Sequence, residues 1–287
     1  MKVHFQKVTI IGIGLIGGSL AMAIKKGGLA RTVLGVDPQP DRLQKAIARG
    51  AIDAYTGDVA EGVEGADLVV LATPVGVFEP IIRQVIPRLS SGCIVTDVGS
   101  TKDFLVRQME QILPEAVSFV GGHPIAGKEK SGIEAASVDL FRGTRCILTP
   151  TPRTDRKALE KIKSLWKEVG SEVVTMEPVA HDRVLAAISH LPHMAAYALV
   201  NTALDLLNQN GELLSFSGGG FKDFTRIAAS SPEMWRDICL HNGENILTTL
   251  EAYEAVLGRI KRYIKDHNGG GLYQEFERAK KLREGIT

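Results

Sequence analysis

Three observations predict an α/β protein with an all-helical C-terminal part. A β-branched run over residues 8–11 leads into Gly12-x-Gly14-x-x-Gly17 and then into a helix-forming stretch over 19–26. Apolar, strand-like runs alternate with helical patterns as far as Met176. From Pro178 onward no strand-like run remains, and helical periodicity continues to the C-terminus. Strands alternating with helices of this length imply a mostly parallel, doubly wound sheet. A strand, a glycine turn and a helix in that order form a Rossmann-type dinucleotide-binding unit. The reading is a dinucleotide-binding domain over 1–176 and an all-α domain over 177–287, with no third, regulatory module.

The first strand does not alternate apolar with polar residues, so both of its faces should be covered. In the turn, Gly12 permits the tight bend, Gly14 lets the backbone approach a pyrophosphate, and Gly17 lets helix lie close on strand. With Leu15 and Ile16 between them, these residues make the expected cofactor-binding turn, and the helix N-terminus offers its free N–H groups to phosphate. The next strand, 32–36, ends at Asp37, at about the 20-residue distance past the third glycine where a carboxylate receives the ribose hydroxyls. A carboxylate there repels a 2′-phosphate, which favours NAD over NADP; Arg42 nearby argues the other way. The early lysines, apolar run and Ala21-Met22-Ala23 also suit a secretory signal, but Gly12, Gly14, Gly17 and Gly18 inside the apolar run and the Asp-ended strand after it do not. A glycine-rich turn without a ligand leaves Asp37 unexplained.

A short helix over 41–49 closes at Gly50, as a C-cap would. The buried-type strand 66–72 ends at Thr73-Pro74, where proline halts the ladder at the edge on which open α/β sheets bind ligands. Thr73 and Pro74 therefore join the expected cofactor site. Helix 78–89, strand 93–98, helix 103–113, strand 118–121, strand 146–149, helix 155–169 and strand 172–176 follow in order. Beyond them Val184, Leu185, Ile188, Leu191, Ala195 and Leu199 keep helical spacing, with a kink expected at Pro192. Ser231-Pro232-Glu233 is a helix start, with serine as N-cap and proline at N1. Ile246, Leu250, Tyr253, Leu257, Ile260 and Ile264 recur at spacings of four and three, a seam that suits a helical bundle or a dimer.

Lys and Arg number 34 against 33 Asp and Glu, interspersed, for a net charge of +1. That gives no electrostatic footprint for nucleic acid or an anionic membrane. Outside the first strand–helix unit, no segment reads as long and apolar enough to span a bilayer. Cys93, Cys146 and Cys239 are far apart, and small buried thiols in a reducing compartment, the cytoplasm, are the expectation.

Chemistry concentrates in the histidines. His123 lies in a Gly-Gly-His-Pro loop after a strand, where an imidazole can take a hydroxyl proton while hydride leaves the same carbon. A loop residue bonding backbone fits that position equally. Ser100, at the end of the neighbouring strand, can orient the imidazole or bond the same hydroxyl. His190 and His193 share a helix face, which admits a metal shared with His123, but no carboxylate or cysteine stands at supporting spacing, and no metal is expected. Arg226 follows the run Gly218-Gly219-Gly220; a glycine loop lets backbone crowd a ligand and arginine binds carboxylates bidentately. An ion pair with Asp223 or Glu233 suits Arg226 as well.

These motifs resemble the prephenate/arogenate dehydrogenases of tyrosine biosynthesis. GIGLIGGS (12–19), Asp37, ATP (72–74), DVGSTK (97–102), GGHPIAGKEKSG (121–132), HDRVLAAISHLPH (181–193) and GGGFKDFTRIAASSPEMW (218–235) run in the family's order, with no departure at a key position. The resemblance implies His123 as catalytic base assisted by Ser100. It implies Arg226 on a substrate carboxylate, and His193, Ser189 and Gly219 lining the pocket, with His181 and Glu129 near it. It further implies NAD as cofactor, an intertwined homodimer and no metal. Prephenate is expected over arogenate because Arg226 and His193 suit an anionic pyruvyl group. Tyrosine is a candidate inhibitor that no residue identifies. The 6-phosphogluconate-type dehydrogenases use a lysine on the first helix of the second domain, whereas residues 178–200 contain none. A non-catalytic NAD sensor would tolerate changes at His123 and Arg226.

Overall fold

The computed structural model describes residues 4–127, 131–207 and 215–285. The first β-branched run becomes β1 (Phe5–Ile11), followed by α1 (Leu15–Gly27), β2 (Ala30–Val36), α2 (Pro40–Ala48), β3 (Ala54–Thr56), α3 (Val59–Val63) and β4 (Leu68–Leu71). Then come α4 (Phe78–Val85), β5 (Ile94–Asp97), α5 (Asp103–Ile112) and β6 (Ser118–Val120). The six strands form one parallel sheet in the order β3-β2-β1-β4-β5-β6. Its order reverses between β1 and β4, the point at which open α/β sheets leave a ligand crevice at the carboxyl edge.

Helices cover both faces, which explains the unbroken apolar strands. Val8 and Ile10 pack with Leu20 and Ile24 of α1 in one core, while Ile11 packs with Phe78, Ile82 and Leu105 of α4 and α5 in the other. Helix α1 begins at Leu15, earlier than expected, because Gly17 and Gly18 inside it permit close approach: a side chain at either would strike Gly12 O or Ile133 Cδ1.

The expected single sheet is corrected in two places. β7 (Gly122–Ile125), β8 (Arg145–Leu148), α6 (Arg156–Glu168) and β9 (Glu172–Thr175) follow, and the three strands form a separate sheet, antiparallel then parallel. β7 was expected as loop; its proline and glycine argue against a strand locally, and pairing with β8 overrides them. β3 is a short edge strand with exposed Ala54 and Tyr55, too polar and brief to signal itself.

The chain continues as α7 (Pro178–Leu185), a π-helical turn (Ala186–His190), α8 (Leu191–Leu206), α9 (Gly219–Thr225), α10 (Pro232–His241), α11 (Gly243–Lys265) and α12 (Gly269–Glu284). Just before Pro192, where the sequence suggests a kink, the helix widens into the π-turn, which accommodates a residue without an N–H. Ser231 caps α10 as expected, its Oγ accepting the Met234 N–H at 3.2 Å. The run Pro178–Leu206 corrects another expectation. By length and composition, with an 18-residue window of mean hydropathy 1.2, it is apolar enough to cross a bilayer. It nevertheless carries buried His181, Asp182 and His190, whose partners lie within the fold.

The helical half has a small core of its own, Ala186, Trp235, Ile238 and Ile246. Along the seam of α11, Ile246 is buried and Leu250 packs against that core, while Leu257 and Ile264 stand 47% and 59% exposed. The seam therefore runs beyond what one chain covers.

Candidate active site

The glycine turn ends β1 at the switch point. Gly12 takes φ +97°, and a Cβ there would lie 2.6 Å from Ala72 O and 2.9 Å from Thr73 Cγ2, so strand and turn close on glycine alone. Gly14 differs: a Cβ there meets nothing within 4 Å, so its exposed backbone borders open space. Leu15, Ile16 and Gly17 form the first turn of α1, and Thr73-Pro74 runs from β4 into a 3-10 turn beside them. Asp37 is 2% exposed and accepts the Ile13 N–H (3.0 Å), the Gln39 N–H (3.0 Å) and Arg42 Nη1 (2.9 Å). A carboxylate has about four acceptor positions, so Oδ1, which takes only Gln39, keeps capacity for a ribose hydroxyl. Arg42 is engaged by Asp37. An open backbone cradle, a helix N-terminus and a terminal carboxylate fit a dinucleotide, and Asp37 fits one without a 2′-phosphate.

His123 sits on β7, buried, at the same edge of the molecule. Its strand is pinned to the end of β5, since Asp97 Oδ1 accepts the Gly122 N–H at 3.0 Å and a Cβ at Gly122 would come within 2.9 Å of Asp97 O. Asp97 Oδ2 also accepts the Gly99 N–H (2.7 Å) and Lys102 Nζ (2.5 Å), in an ion pair buried on both sides. Burial pulls the Asp97 pKa above the ordinary carboxylate value, against Lys102 and the two amides. Behind His123, its Nδ1 meets His181 Nε2 at 2.9 Å, and His181 Nδ1 meets Asp182 Oδ1 at 2.7 Å. Asp182 accepts the N–H groups of Lys102 and Asp103, both at 2.8 Å, fastening α7 to the turn after β5. Burial first, then the neighbouring His181 and Lys102, hold the His123 pKa well below its ordinary value. It is a neutral imidazole at neutral pH.

On the helical side, His193 stacks on Trp235 with ring centroids 3.9 Å apart, and its Nδ1–H donates to Ser189 O at 2.9 Å. Burial and the charge of Arg226 lower its pKa. Arg226 is exposed and follows α9, which opens at Gly219, where a Cβ would meet nothing within 4 Å. His190 packs on the same Trp235 in a T-shaped pair, with its Nδ1 3.2 Å from Asn242 Nδ2. Burial pushes its pKa down to about 4. Among the described residues, no group of three or more His, Cys, Asp or Glu is arranged to hold a metal.

Sequence reasoning expected His181 beside the substrate. It is fully buried and reaches His123 from behind, so it lines no pocket. Ser100 follows β5, half-buried, and makes no hydrogen bond to His123 among the described residues. Glu129 lies outside the described residues. Asp97, Lys102, Asp182, Trp235 and Asn242 were not singled out, although the first four lie inside the quoted motifs. A cavity of about 620 Å³ opens between α5 and the α10–α11 junction, with Phe104, Arg107, His241 and Glu244 in its lining. It includes neither the glycine turn nor His123, but Asp103, Asp182 and Asn242, which lie behind His123, are in its lining.

Residues 20–175 match a family model described as "Prephenate dehydrogenase, nucleotide-binding domain", and residues 177–278 match "Prephenate dehydrogenase, dimerization domain". A prephenate dehydrogenase of Bacillus subtilis is 39% identical over 280 residues, covering 97% of this chain and 76% of its own length. The crystal structure of prephenate dehydrogenase from A. aeolicus in complex with hydroxyphenyl propionate and NAD+ aligns with a TM-score of 0.92 at 41% identity, covering 98% of each chain. Synechocystis arogenate dehydrogenase aligns with a TM-score of 0.81 at 30% identity, covering 98% of this chain and 100% of that one.

Proposed function

The chain belongs to the prephenate dehydrogenase family and is an NAD-dependent oxidoreductase, and from that premise we propose that it converts prephenate to 4-hydroxyphenylpyruvate by oxidative decarboxylation. The observation that carries this reading is a neutral, buried imidazole, His123, held at the carboxyl edge of the sheet by the His181 ring behind it and by the Gly122 N–H that fastens its strand to Asp97. When bound, NAD accepts the hydride that leaves the hydroxyl-bearing ring carbon. His123 takes the proton of that hydroxyl. The ring carboxylate leaves as carbon dioxide, and the electron pair of the broken bond enters the ring, which becomes aromatic. The phenolate oxygen then recovers a proton from His123, so the base ends as it began.

Positioning carries the rest of the catalysis, because aromatisation supplies the driving force. Arg226 binds a substrate carboxylate, and His193, braced on Trp235, borders the side-chain end of the substrate. Ser189 and Gly219 complete the lining, and Ser100 approaches the ring hydroxyl. Gly12, Gly14, Leu15, Ile16, Gly17, Asp37, Thr73 and Pro74 hold the cofactor. Residues 1–176 form the cofactor-binding unit, and residues 177–287 pair with a second copy through the exposed part of the α11 seam. The three unpaired cysteines suit a cytoplasmic enzyme. Arogenate is the second reading, favoured by the likeness to the Synechocystis enzyme.

The test offers purified protein prephenate or arogenate with NAD or NADP and follows the absorbance of reduced nicotinamide. Prephenate with NAD should give turnover, and His123→Asn should lower kcat by about 10²–10⁴-fold with NAD binding retained. Added tyrosine reports in the same assay whether it competes with substrate. Near-normal turnover by the Asn variant would remove His123 from its role. Silence with all four pairs, with NAD still bound, would favour the sensor.

A further inference from the structure

Building on the proposed reaction, we propose that His181 and Asp182 are a positioning dyad that keeps the proton of His123 on Nδ1 and so leaves Nε2 as the basic atom. Donor and acceptor roles follow from the far end of the chain of contacts. The Asp182 carboxylate faces two backbone N–H groups, those of Lys102 and Asp103, each at 2.8 Å. Backbone amides only donate, so Asp182 accepts at both oxygens. His181 Nδ1, 2.7 Å from Oδ1, therefore carries a hydrogen. A neutral imidazole with hydrogen on Nδ1 has its lone pair on Nε2. That lone pair lies 2.9 Å from His123 Nδ1, which must be the donor. His123 thus holds its hydrogen on the side facing the protein, and its free lone pair is on Nε2.

The other polar groups around the two rings agree. Lys102 Nζ is committed to Asp97 Oδ2 and to Thr101 O, and Asp97 to the backbone of Gly99 and Gly122. From the π-turn His190 bonds Asn242, whose Nδ2 also donates to Asp182 O at 2.8 Å. Cys146 on β8 faces the backbone of His123, with its thiol held protonated by burial. Burial lowers the proton affinity of His181, which keeps it neutral and accepting. Nothing in this set competes for His123 Nδ1.

The proposed reaction returns its proton to the product, so His123 must hold it only between two steps. An imidazolium in a buried site is costly, and the Asp182 charge, reaching it through His181, stabilises the ring while the proton is there. The same logic explains why an orienting carboxylate behind a catalytic histidine matters without ever taking the proton itself.

Two measurements decide this. In ¹⁵N-labelled protein with NAD bound, long-range ¹H–¹⁵N spectra, with His123 assigned by its loss in His123→Asn, should show hydrogen on Nδ1 and a bare Nε2. In kinetics, His181→Leu should lower kcat by about 10²–10³-fold while KM for prephenate and Kd for NAD stay within about threefold. His181→Gln, whose side-chain carbonyl can stand where Nε2 stood and accept the same N–H, should recover about tenfold or more of that loss, with both variants checked for an unchanged circular dichroism spectrum. A His123 ring with hydrogen on Nε2, a Leu variant within about threefold of the parent, or a Gln variant no better than Leu would each overturn the dyad. If the parent protein turns over neither prephenate nor arogenate, the proposed reaction fails, and the ring-nitrogen spectrum still decides the tautomer.

Discussion

Replacing Lys102 with Met tests whether charge holds the turn that carries the site. Lys102 and Asp97 have no exposed side-chain surface, and their charged atoms are 2.5 Å apart. Met keeps most of the stem volume, so the cavity left is small and the main loss is the ammonium. Removing one partner of a buried ion pair costs about 3–5 kcal/mol, because the other charge stays buried and uncompensated. For a domain of this size that corresponds to a fall in Tm of roughly 6–20 °C. The two amides that Asp97 retains, from Gly99 and Gly122, place the effect toward the lower end. The pH dependence gives a second readout. Burial already raises the Asp97 pKa, and without Lys102 it rises further. A carboxyl group whose folded pKa exceeds its unfolded one stabilises at low pH and loses that contribution as pH climbs through the folded value. The deficit of the variant should therefore be largest near pH 8 and shrink near pH 5. Denaturant unfolding at both pH values, at one protein concentration because association adds stability, measures it. A deficit below about 1 kcal/mol, or one equal at both pH values, refutes a charged, load-carrying pair.

Three further outcomes follow from single positions. Gly14→Ala should fold normally, since the added Cβ meets nothing, yet weaken NAD binding by an order of magnitude or more, whereas Gly12→Ala should unfold first because φ +97° and Ala72 O leave no room; calorimetry with thermal melts separates the two, and equal NAD affinity for parent and Gly14→Ala would end the pyrophosphate assignment. Arg226→Ala should raise KM for prephenate by about 10–100-fold with a smaller effect on kcat, as loss of a charge-assisted carboxylate contact does; a change in NAD affinity instead would move the arginine to the other ligand. His190, with its pKa near 4 against 6.5 for the free group, binds its proton only in the unfolded chain between those values. Stability should therefore be intact above pH 6.5 and fall by roughly 3 kcal/mol on acidification to about pH 4. His190→Phe should flatten that slope in denaturant titrations, and an unchanged slope would assign it to other groups.

What could be read from the residues alone was whatever short-range stereochemistry decides. Gly12 and Gly17 answer to contacts with the adjoining strands and turn, Ser231 to the amide three residues on, and the apolar runs of β1 and β4 to being covered on both faces; each is encoded where it acts. β7 is different. Gly122-His123-Pro124 has poor strand chemistry by itself, and it becomes a strand because β8 pairs with it and because Asp97, remote in sequence, accepts its N–H. The resemblance implies His181 only as a residue near the pocket, and which way its ring turns depends on Asp182 being held by the amides of Lys102 and Asp103. The π-turn before Pro192 and the exposed half of the α11 seam likewise depend on partners outside their own segment.

The misjudged segments coincide with the candidate site, and there is a physical reason. A base that must be neutral, buried and aimed needs a strand in an unfavourable sequence, a buried ion pair and a widened helical turn, each of which local preference alone would reject. Such features persist only where surrounding contacts over-determine them. Around His123 those contacts close into a ring, from Asp97 through Gly122 to His123, on through His181 to Asp182, and back to the backbone of Lys102, whose ammonium returns to Asp97. Because the ring joins the turn after β5 to α7, the orientation of the base depends on the docking of the helical half. Loosening that docking should therefore impair proton transfer before it impairs NAD binding, whose proposed residues stand at the ends of β1, β2 and β4 and on α1.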